Sequence, residues 1–308
     1  MIIIRAMGGL GNQMQQFALY KKMESLGKEV CMDATWFRRR EIQTSVYIAR
    51  DLELDYLEGT EHREATREEI QGMLGRMYEE GEDIIDKLRK LISPSTYPCF
   101  TEKDMYHEKI FGFEKKYLVG YWACEKYYAD ILPQLRETIK FPKSYNEELN
   151  KKNDEMMQKM ESCNSVSMHI RRGDYLDPVN RAMFGGICTD TYYETSIQYM
   201  KERYPDAKFF LFSDDPEYVR EKYKGNEFEV VDINHDRASF YDMMLMSHCK
   251  HNICANSTFS FWGARLNGNE SKITIRPSIH KNTQICIPDE MKDLWAGWVL
   301  IAPQGAII

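Results

Sequence analysis

Short apolar segments alternate with helical patterns through the second half of the chain, and this alternation restricts the fold more than any other feature. The apolar segments are rich in β-branched and aromatic residues, which is typical of buried strands. They lie at 165–170, 208–213, 228–233, 251–255 and 272–276. Helical patterns at about 191–204, 216–224, 239–249 and 258–266 separate them. The alternation predicts a parallel sheet covered by helices, because parallel strands need crossover connections.

The first half of the chain begins with a unit of the same kind. An apolar run at 1–4 precedes the glycine-rich sequence GGLGN at 8–12, which is followed by a helical pattern and a second apolar segment ending at Asp33. A chain of 308 residues is expected to form two domains of about 150 residues each. We therefore expect an α/β fold with two domains, residues 1–150 and 151–308.

Charge and hydropathy limit the ligands and the location of the protein. The net charge of −7 provides no overall attraction to nucleic acid, so an anionic ligand requires a local cluster of basic side chains. No apolar run approaches the roughly 20 residues of a transmembrane helix, and the N-terminus lacks a signal-peptide pattern. We expect a cytoplasmic protein that has no nucleic-acid partner and no transmembrane segment.

The eight cysteines predict neither a disulfide framework nor a metal site. They are scattered along the chain without a CxxC pair. The sequence CKHNIC, which contains Cys249, His251 and Cys254, is the one cluster worth considering as a metal site. Because it crosses from a helix end into a strand, a structural role is favoured. We expect reduced thiols and no bound metal.

Four polar clusters follow predicted strands directly. They are GGLGN after the first strand, RRGD at 171–174, SDD at 213–215 and NSTFSFWG at 256–263. Open α/β sheets bind their ligands beyond the carboxyl ends of the strands. The clusters are therefore candidates for one or more ligand sites.

Residues 171 and 172 are the candidate anion-binding pair. Successive side chains of an extended segment lie on opposite faces, so His169 and Arg171 share one face while Arg172 lies on the other. The planar fork of an arginine suits phosphate, and two arginines could hold a pyrophosphate without a metal. The structural alternative is an ion pair between an arginine and Asp174 that stiffens the loop.

The other two clusters of the second half precede predicted helices. One aspartate of Asp214 and Asp215 is expected to cap a helix, which leaves the other to bind Mg²⁺, a guanine edge or a ribose. Asn256, Ser257 and Thr258 offer polar groups at a helix start, where backbone N–H groups bind anions. An ordinary N-cap is the alternative, with the following aromatic residues packed in the core.

The glycine-rich loop allows two interpretations. Gly9, Gly11 and Asp33 fit the beginning of a dinucleotide fingerprint, but a methionine replaces the third glycine, so a nicotinamide oxidoreductase is a minor alternative. The broader interpretation is a loop whose backbone approaches a ligand, with Asn12 and Gln13 offering amide groups.

The sequences GGLGNQMQQFA, HIRRGDY, FSDD and NSTFSFWGA, in this order and spacing, resemble the bacterial α-1,2-fucosyltransferases of glycosyltransferase family 11. The similarity runs from residue 1 to about 276. It implies a GT-B fold, in which two Rossmann-like domains face a cleft, the first contributing to the acceptor site and the second holding GDP-fucose. It also implies an inverting, metal-independent transfer of L-fucose from GDP-β-L-fucose to the 2-hydroxyl of a terminal galactose in a glycan.

The resemblance also implies residue roles. Arg172 would hold the diphosphate with support from Arg171, and His169 and one of the two aspartates would line the guanosine site. Ser257 and Thr258, beside Asn256, would complete the phosphate cradle, and Asn12 would face the reacting sugar. The proposed catalytic residues are Arg172, Asp174 and Asn12, and the proposed donor-binding residues are His169, Arg171, Arg172, Asp214, Asp215, Asn256, Ser257 and Thr258.

Several alternatives remain open at this point. The general base is one of Asp174, Asp177 and Glu194, with Asp174 favoured, unless early departure of the leaving group makes a base unnecessary. The family often has tryptophan where this chain has Phe261, which leaves fine specificity open. A GDP-sugar transferase of another linkage, a nucleotide-binding module without activity, and peripheral membrane contact are also open.

Overall fold

The structure is a computed structural model that describes residues 1–39, 43, 49–80, 86, 90, 92, 96–103, 105–173 and 177–308. Two compact units divide the chain, Met1–Ile131 and Leu132–Ile308. Each unit contains one parallel sheet with helices, as the alternating pattern predicted. The division lies earlier than residue 150 because the helices that begin at Leu132 and Glu147 pack on helices of the second unit.

The N-terminal unit has a four-stranded sheet in the order β2-β1-β4-β3. Its strands are β1 (Ile2–Arg5), β2 (Val30–Asp33), β3 (Cys99–Thr101) and β4 (Lys116–Val119). Among the residues that the structure describes, helices with defined bounds are α1 (Leu10–Ser25), α2 (Thr35–Arg38), α3 (Arg67–Leu74) and α4 (Met77–Glu80), with 3₁₀ turns at Glu53–Tyr56, Glu108–Gly112, Glu125–Tyr127 and Ala129–Ile131. Strand β1 pairs on both sides, which explains its run of three buried isoleucines.

The C-terminal unit has a six-stranded sheet in the order β10-β9-β8-β5-β6-β7. Its strands are β5 (Ser165–Ile170), β6 (Lys208–Ser213), β7 (Phe228–Val230), β8 (His251–Ile253), β9 (Thr274–Pro277) and β10 (Trp298–Ile301). Its helices are α5 (Leu132–Thr138), α6 (Glu147–Glu161), α7 (Pro178–Phe184), α8 (Asp190–Arg203), α9 (Pro216–Lys222), α10 (Tyr241–His248), α11 (Thr258–Leu266) and α12 (Pro288–Leu294), with a 3₁₀ turn at Asp236–Ala238.

Strand β6 shows how this second sheet is covered on both faces. Phe209 and Leu211 belong to a core cluster on one face, whereas Phe210 and Phe212 belong to a second cluster on the other. This division follows from the alternation of side chains along a strand. Both faces of the sheet are therefore buried under helices, as in doubly wound α/β folds.

The pairing of β5 with β6 places the polar clusters that follow these two strands next to each other. The two strands run parallel, with Ile170 opposite Ser213 at their carboxyl ends. Strand β8 pairs with the other side of β5. Three of the clusters predicted from the sequence therefore begin at the same edge of one sheet.

No helix within the described part of the chain is long and apolar enough to cross a membrane.

Candidate functional site

The end of β5 and the end of β6 are joined by Asp214. Its Oδ2 atom lies 3.0 Å from Nη1 of Arg171, and its Oδ1 atom accepts a hydrogen bond from the backbone N–H of Arg172 at 2.9 Å. A Cβ atom at Gly173 would lie 2.5 Å from Oδ2 of Asp214. The glycine therefore permits the close approach of the two loops.

Asp215 fixes the second arginine. Its Oδ2 atom lies 3.0 Å from Nε of Arg172, and its Oδ1 atom caps α9 by accepting the backbone N–H of Tyr218 at 3.2 Å. The guanidinium carbon of Arg172 lies 3.5 Å from the centre of the Tyr218 ring. Carboxylate and ring together hold this half-exposed guanidinium in one orientation.

The arrangement gives the two arginines carboxylate partners that the sequence did not assign to them. The carboxylate partners of the arginines are Asp214 and Asp215, whereas Asp174 lies outside the described residues. We expected one aspartate to cap a helix and the other to remain for a ligand. Asp215 does cap α9, and both aspartates also contact an arginine. The two arginines do contact different partners, as their alternation predicted.

The start of α11 lies at the same edge of the sheet. The ring of His169, which is buried on β5, lies 6.1 Å from the ring of Phe259 in the first turn of α11. Ser257 is the N-cap residue, but its side chain makes no capping hydrogen bond. Ser257 and Thr258 are half-buried. The structure thus brings the proposed phosphate-cradle residues to the edge that carries the arginines.

Asn256 has a different position from its two neighbours in the sequence. Its side chain is buried, and Nδ2 donates hydrogen bonds to the carbonyls of Phe184 and His280, each at 3.1 Å. The thiol of Cys188 donates to its Oδ1 atom at 3.4 Å. Burial raises the pKa of Cys188 to about 12, so the thiol keeps its proton at neutral pH. Asn256 therefore ties α7 to the segment after β9.

In the glycine-rich loop of the N-terminal unit, Gly8 lies directly against the side chain of Asn12. Gly8 has φ +82°, and a Cβ atom there would lie 2.5 Å from Nδ2 of Asn12. Both the backbone conformation and the contact require glycine at this position. Asn12 is half-buried in the first turn of α1. The loop therefore fixes the position of the Asn12 amide.

Gln13 does not offer its amide to a ligand, contrary to expectation. Its Nε2 atom donates to the carbonyls of Gly8 at 2.9 Å and Asp51 at 3.0 Å. Its Oε1 atom accepts the backbone N–H of Leu54 at 2.9 Å. The side chain is fully buried and connects the loop to residues 51–54.

Comparison with known proteins identifies the family. The model of the family described as Glycosyl transferase family 11 matches residues 90–302. The chain belongs to this family. The matched region contains the sheet edge formed by β5, β6 and β8, and hence the arginine pair with its two aspartates.

Two relatives of this family 11 protein are named as sugar transferases. The alpha-1,2-colitosyltransferase of Escherichia coli is 41% identical over 182 residues, which are 58% of this chain and 61% of that protein. The galactoside alpha-(1,2)-fucosyltransferase 1 of Ateles belzebuth is 28% identical over 108 residues, 34% of this chain and 30% of that protein. The matches thus span less than two thirds of each relative's length.

Among solved structures, a mutant of Arabidopsis thaliana FUT1 in complex with GDP matches the family 11 chain with a TM-score of 0.47 and 11% identity. The match covers 94% of this chain and 72% of that chain.

Asp33 contradicts the dinucleotide interpretation of the family 11 chain. Its Oδ1 atom accepts the backbone N–H of Thr35 at 2.8 Å, and its Oδ2 atom accepts the hydroxyl of Tyr117. The side chain is 2% exposed. A buried carboxylate with both oxygens engaged is not available to hold a ribose, as a nicotinamide oxidoreductase would need.

The CKHNIC sequence has the structural role that we expected. Nδ1 of His251 accepts the backbone N–H of Ile273 at 3.0 Å, and the thiol of Cys254 donates to the carbonyl of Ser260 at 3.3 Å. Burial lowers the pKa of His251 to about 4, so its ring is neutral and can accept this hydrogen bond.

Two of the three candidate bases can be placed. Asp177 caps α7 by accepting the backbone N–H groups of Val179 at 3.0 Å and Asn180 at 3.4 Å. Glu194 is exposed on α8. Asp174, the favoured candidate, lies outside the described residues.

Two charged residues that the sequence did not single out lie near the clusters described above, Glu53 in the N-terminal unit and Arg276 in the C-terminal unit. Oε2 of Glu53 accepts the backbone N–H of Leu10 at 2.7 Å, which supplies the cap that Gly9 cannot give to α1. Burial raises the pKa of Glu53. Arg276 is buried at the end of β9, with its guanidinium carbon 3.8 Å from the centre of the Trp295 ring. The sequence signal for Arg276 was a charge at the end of an apolar strand pattern.

Proposed function

We propose that this protein transfers L-fucose from GDP-β-L-fucose to the 2-hydroxyl of a terminal galactose in a glycan. The observation that carries the proposal is the pair of arginines fixed by Asp214 and Asp215 at the carboxyl ends of β5 and β6 in a family 11 chain. A net negative chain binds a diphosphate only through such a local basic site. The names of both relatives support the α-1,2 linkage, and the name of the Ateles belzebuth relative supports L-fucose and a galactoside acceptor.

Arg172 is assigned the main electrostatic role in the reaction. When the bond between the anomeric carbon and the β-phosphate oxygen breaks, the electron pair leaves with GDP and negative charge develops on the β-phosphate. A guanidinium already oriented by Asp215 and Tyr218 stabilises that charge without reorganising. Arg171, oriented by Asp214, supports it. The two aspartates therefore position the arginines.

The remaining residues complete the donor site in this proposal. Ser257 and Thr258 offer hydroxyls and backbone N–H groups at the start of α11, where the helix favours phosphate. His169, beside Phe259, faces the guanosine. Asn256 holds the surrounding loops in place. Residues 151–308 thus provide the donor side of the reaction.

The N-terminal unit provides the acceptor side. The acceptor oxygen attacks the anomeric carbon from the face opposite GDP, which inverts the configuration, and the hydroxyl proton passes to a base or to water. Asp174 remains the proposed base, and Asn12 is proposed to contact the reacting sugar. A cytoplasmic location, possible contact with the membrane surface, and independence of metal ions stay predictions.

A second donor is supported by one relative. The 41% identical Escherichia coli protein is named for colitose transfer. GDP-colitose is therefore the competing donor for the same site. One transfer assay, described next, tests the acceptor and the linkage for both donors.

The test is a transfer assay with each donor. The protein is incubated with lactose or N-acetyllactosamine and with GDP-fucose, GDP-colitose or UDP-galactose, in EDTA, and the products are analysed by mass spectrometry and NMR. We expect an α-1,2-fucosylated product, with the rate unchanged when Mg²⁺ replaces EDTA. Transfer only from GDP-colitose would establish the competing donor. GDP binding without transfer to either acceptor would favour the nucleotide-binding module.

A further inference from the structure

The turn that follows β4 presents one aromatic ring to solvent. In this turn, Gly120–Trp122, the side chain of Tyr121 is 47% exposed, whereas that of Trp122 is fully buried. The turn lies at the carboxyl end of β4, the edge at which parallel sheets bind ligands. The proposed donor site uses none of the residues of this turn.

The backbone of the turn is strained and held by one carboxylate. Trp122 has φ +53°, an unfavourable value for a bulky residue. Oε2 of Glu102 accepts the backbone N–H groups of Tyr121 at 2.8 Å and Trp122 at 2.9 Å. A Cβ atom at Gly120 would lie 2.6 Å from Cβ of Glu102. Strain of this kind persists only where the surroundings impose it, and it is concentrated at ligand sites.

Two buried glutamines of α1 hold the carbonyls of the same turn. Nε2 of Gln15 donates to the carbonyl of Tyr121 at 3.0 Å, and Nε2 of Gln16 donates to that of Gly120 at 3.1 Å. Oε1 of Gln16 also accepts the backbone N–H of Met7 at 3.0 Å. One side chain thus joins the turn to the loop that follows β1 and leads to Asn12.

The backbone of Tyr121 is therefore held in position, while its side chain is only partly covered. A ring that served the core alone would be buried, as that of Trp122 is. A half-exposed tyrosine offers an apolar face and a polar hydroxyl. A pyranose matches this surface, because one of its faces carries C–H groups while its rim carries hydroxyls.

We infer that Tyr121 forms a sugar-binding subsite in the N-terminal unit, where its ring stacks on the acceptor sugar. The inference rests on the proposed function for the identity of that sugar, a terminal galactose. In this subsite Tyr121 contacts the sugar directly. Glu102, Gln15 and Gln16 are positioning residues that act through it.

The test measures binding of lactose and N-acetyllactosamine by calorimetry and saturation-transfer NMR, with and without GDP. Tyr121→Ala is expected to raise the sugar Kd about tenfold, the usual effect of losing one aromatic contact. Tyr121→Phe keeps the ring and should stay within about twofold. The matched control is Tyr145→Ala, which removes a fully exposed tyrosine of the C-terminal unit and should leave sugar binding unchanged.

The GDP affinity separates this inference from the proposed function. It should be the same in all variants, since the changes lie outside the donor residues. If the native protein binds these sugars through Tyr121 but does not bind GDP, the subsite stands and the proposed donor fails. Unchanged sugar affinity in Tyr121→Ala, or no sugar binding by the native protein, overturns the subsite. Tyr121→Leu provides the same comparison if the alanine variant does not fold.

Discussion

Replacing Arg172 with alanine is expected to lower turnover at least about a hundredfold, the usual effect of removing one fixed donor from developing negative charge. The side chain is half-exposed and contacts Asp215 and Tyr218 at the sheet edge. Its removal should therefore leave the core and the thermal unfolding temperature nearly unchanged. Arg172→Lys keeps the charge but loses the planar fork, and should recover only part of the activity. Initial rates at saturating donor and acceptor measure both effects.

Arg203 provides the matched control for this experiment. Its guanidinium carbon also lies 3.5 Å from the centre of a tyrosine ring, that of Tyr199. It ends α8, which leads to the amino end of β6, opposite the candidate site. Arg203→Ala removes the same kind of stacking contact and should retain native turnover. Near-native turnover in folded Arg172→Ala would contradict the assignment of the diphosphate site.

Gly8→Ala is expected to cause the second large loss of activity. The added Cβ atom would lie 2.5 Å from Nδ2 of Asn12, so the amide or the loop must move. A displacement of about 1 Å near a reacting group can lower turnover about a hundredfold. The φ of +82° also costs an alanine about 1–2 kcal/mol of stability. Both kcat and the free energy of unfolding should be measured.

Gly27→Ala separates the two effects at Gly8. Gly27 has φ +73°, but no heavy atom lies within 4 Å of the position that its Cβ would occupy. This variant should lose similar stability and retain native kcat. If both variants lose activity equally, the loss at Gly8 comes from stability alone, and the positioning of Asn12 has no part in catalysis.

The segments that the sequence predicted best are those with continuous apolar character. Strands β5 and β6 and helix α11 have the predicted bounds, because polar or turn residues flank each apolar pattern. Strand β7 ends at Val230 rather than residue 233, although Val231 is still buried. Strand β10 was not predicted, although its apolar sequence WVLI, between Gly297 and Pro303, is a local strand signal.

The partners within the site could be predicted only in part. The rule for ligand sites in parallel sheets placed the polar clusters at one edge. The pairing of Arg171 with Asp214 depends on the register of β5 and β6, which is a non-local property. The sequence suggested that Gln13 and Asn256 contact a ligand. In the structure their side chains form hydrogen bonds with backbone atoms that are distant in sequence, such as those of Leu54 and His280. Sequence spacing carries no information about such partners.

Calorimetric titration with GDP, in EDTA and with NAD as the control ligand, tests the central claim most directly. The native protein is predicted to bind GDP and not NAD, and Arg172→Ala is predicted to bind GDP more weakly. Absence of GDP binding by the native protein would contradict the donor site formed by Arg171, Arg172 and the start of α11.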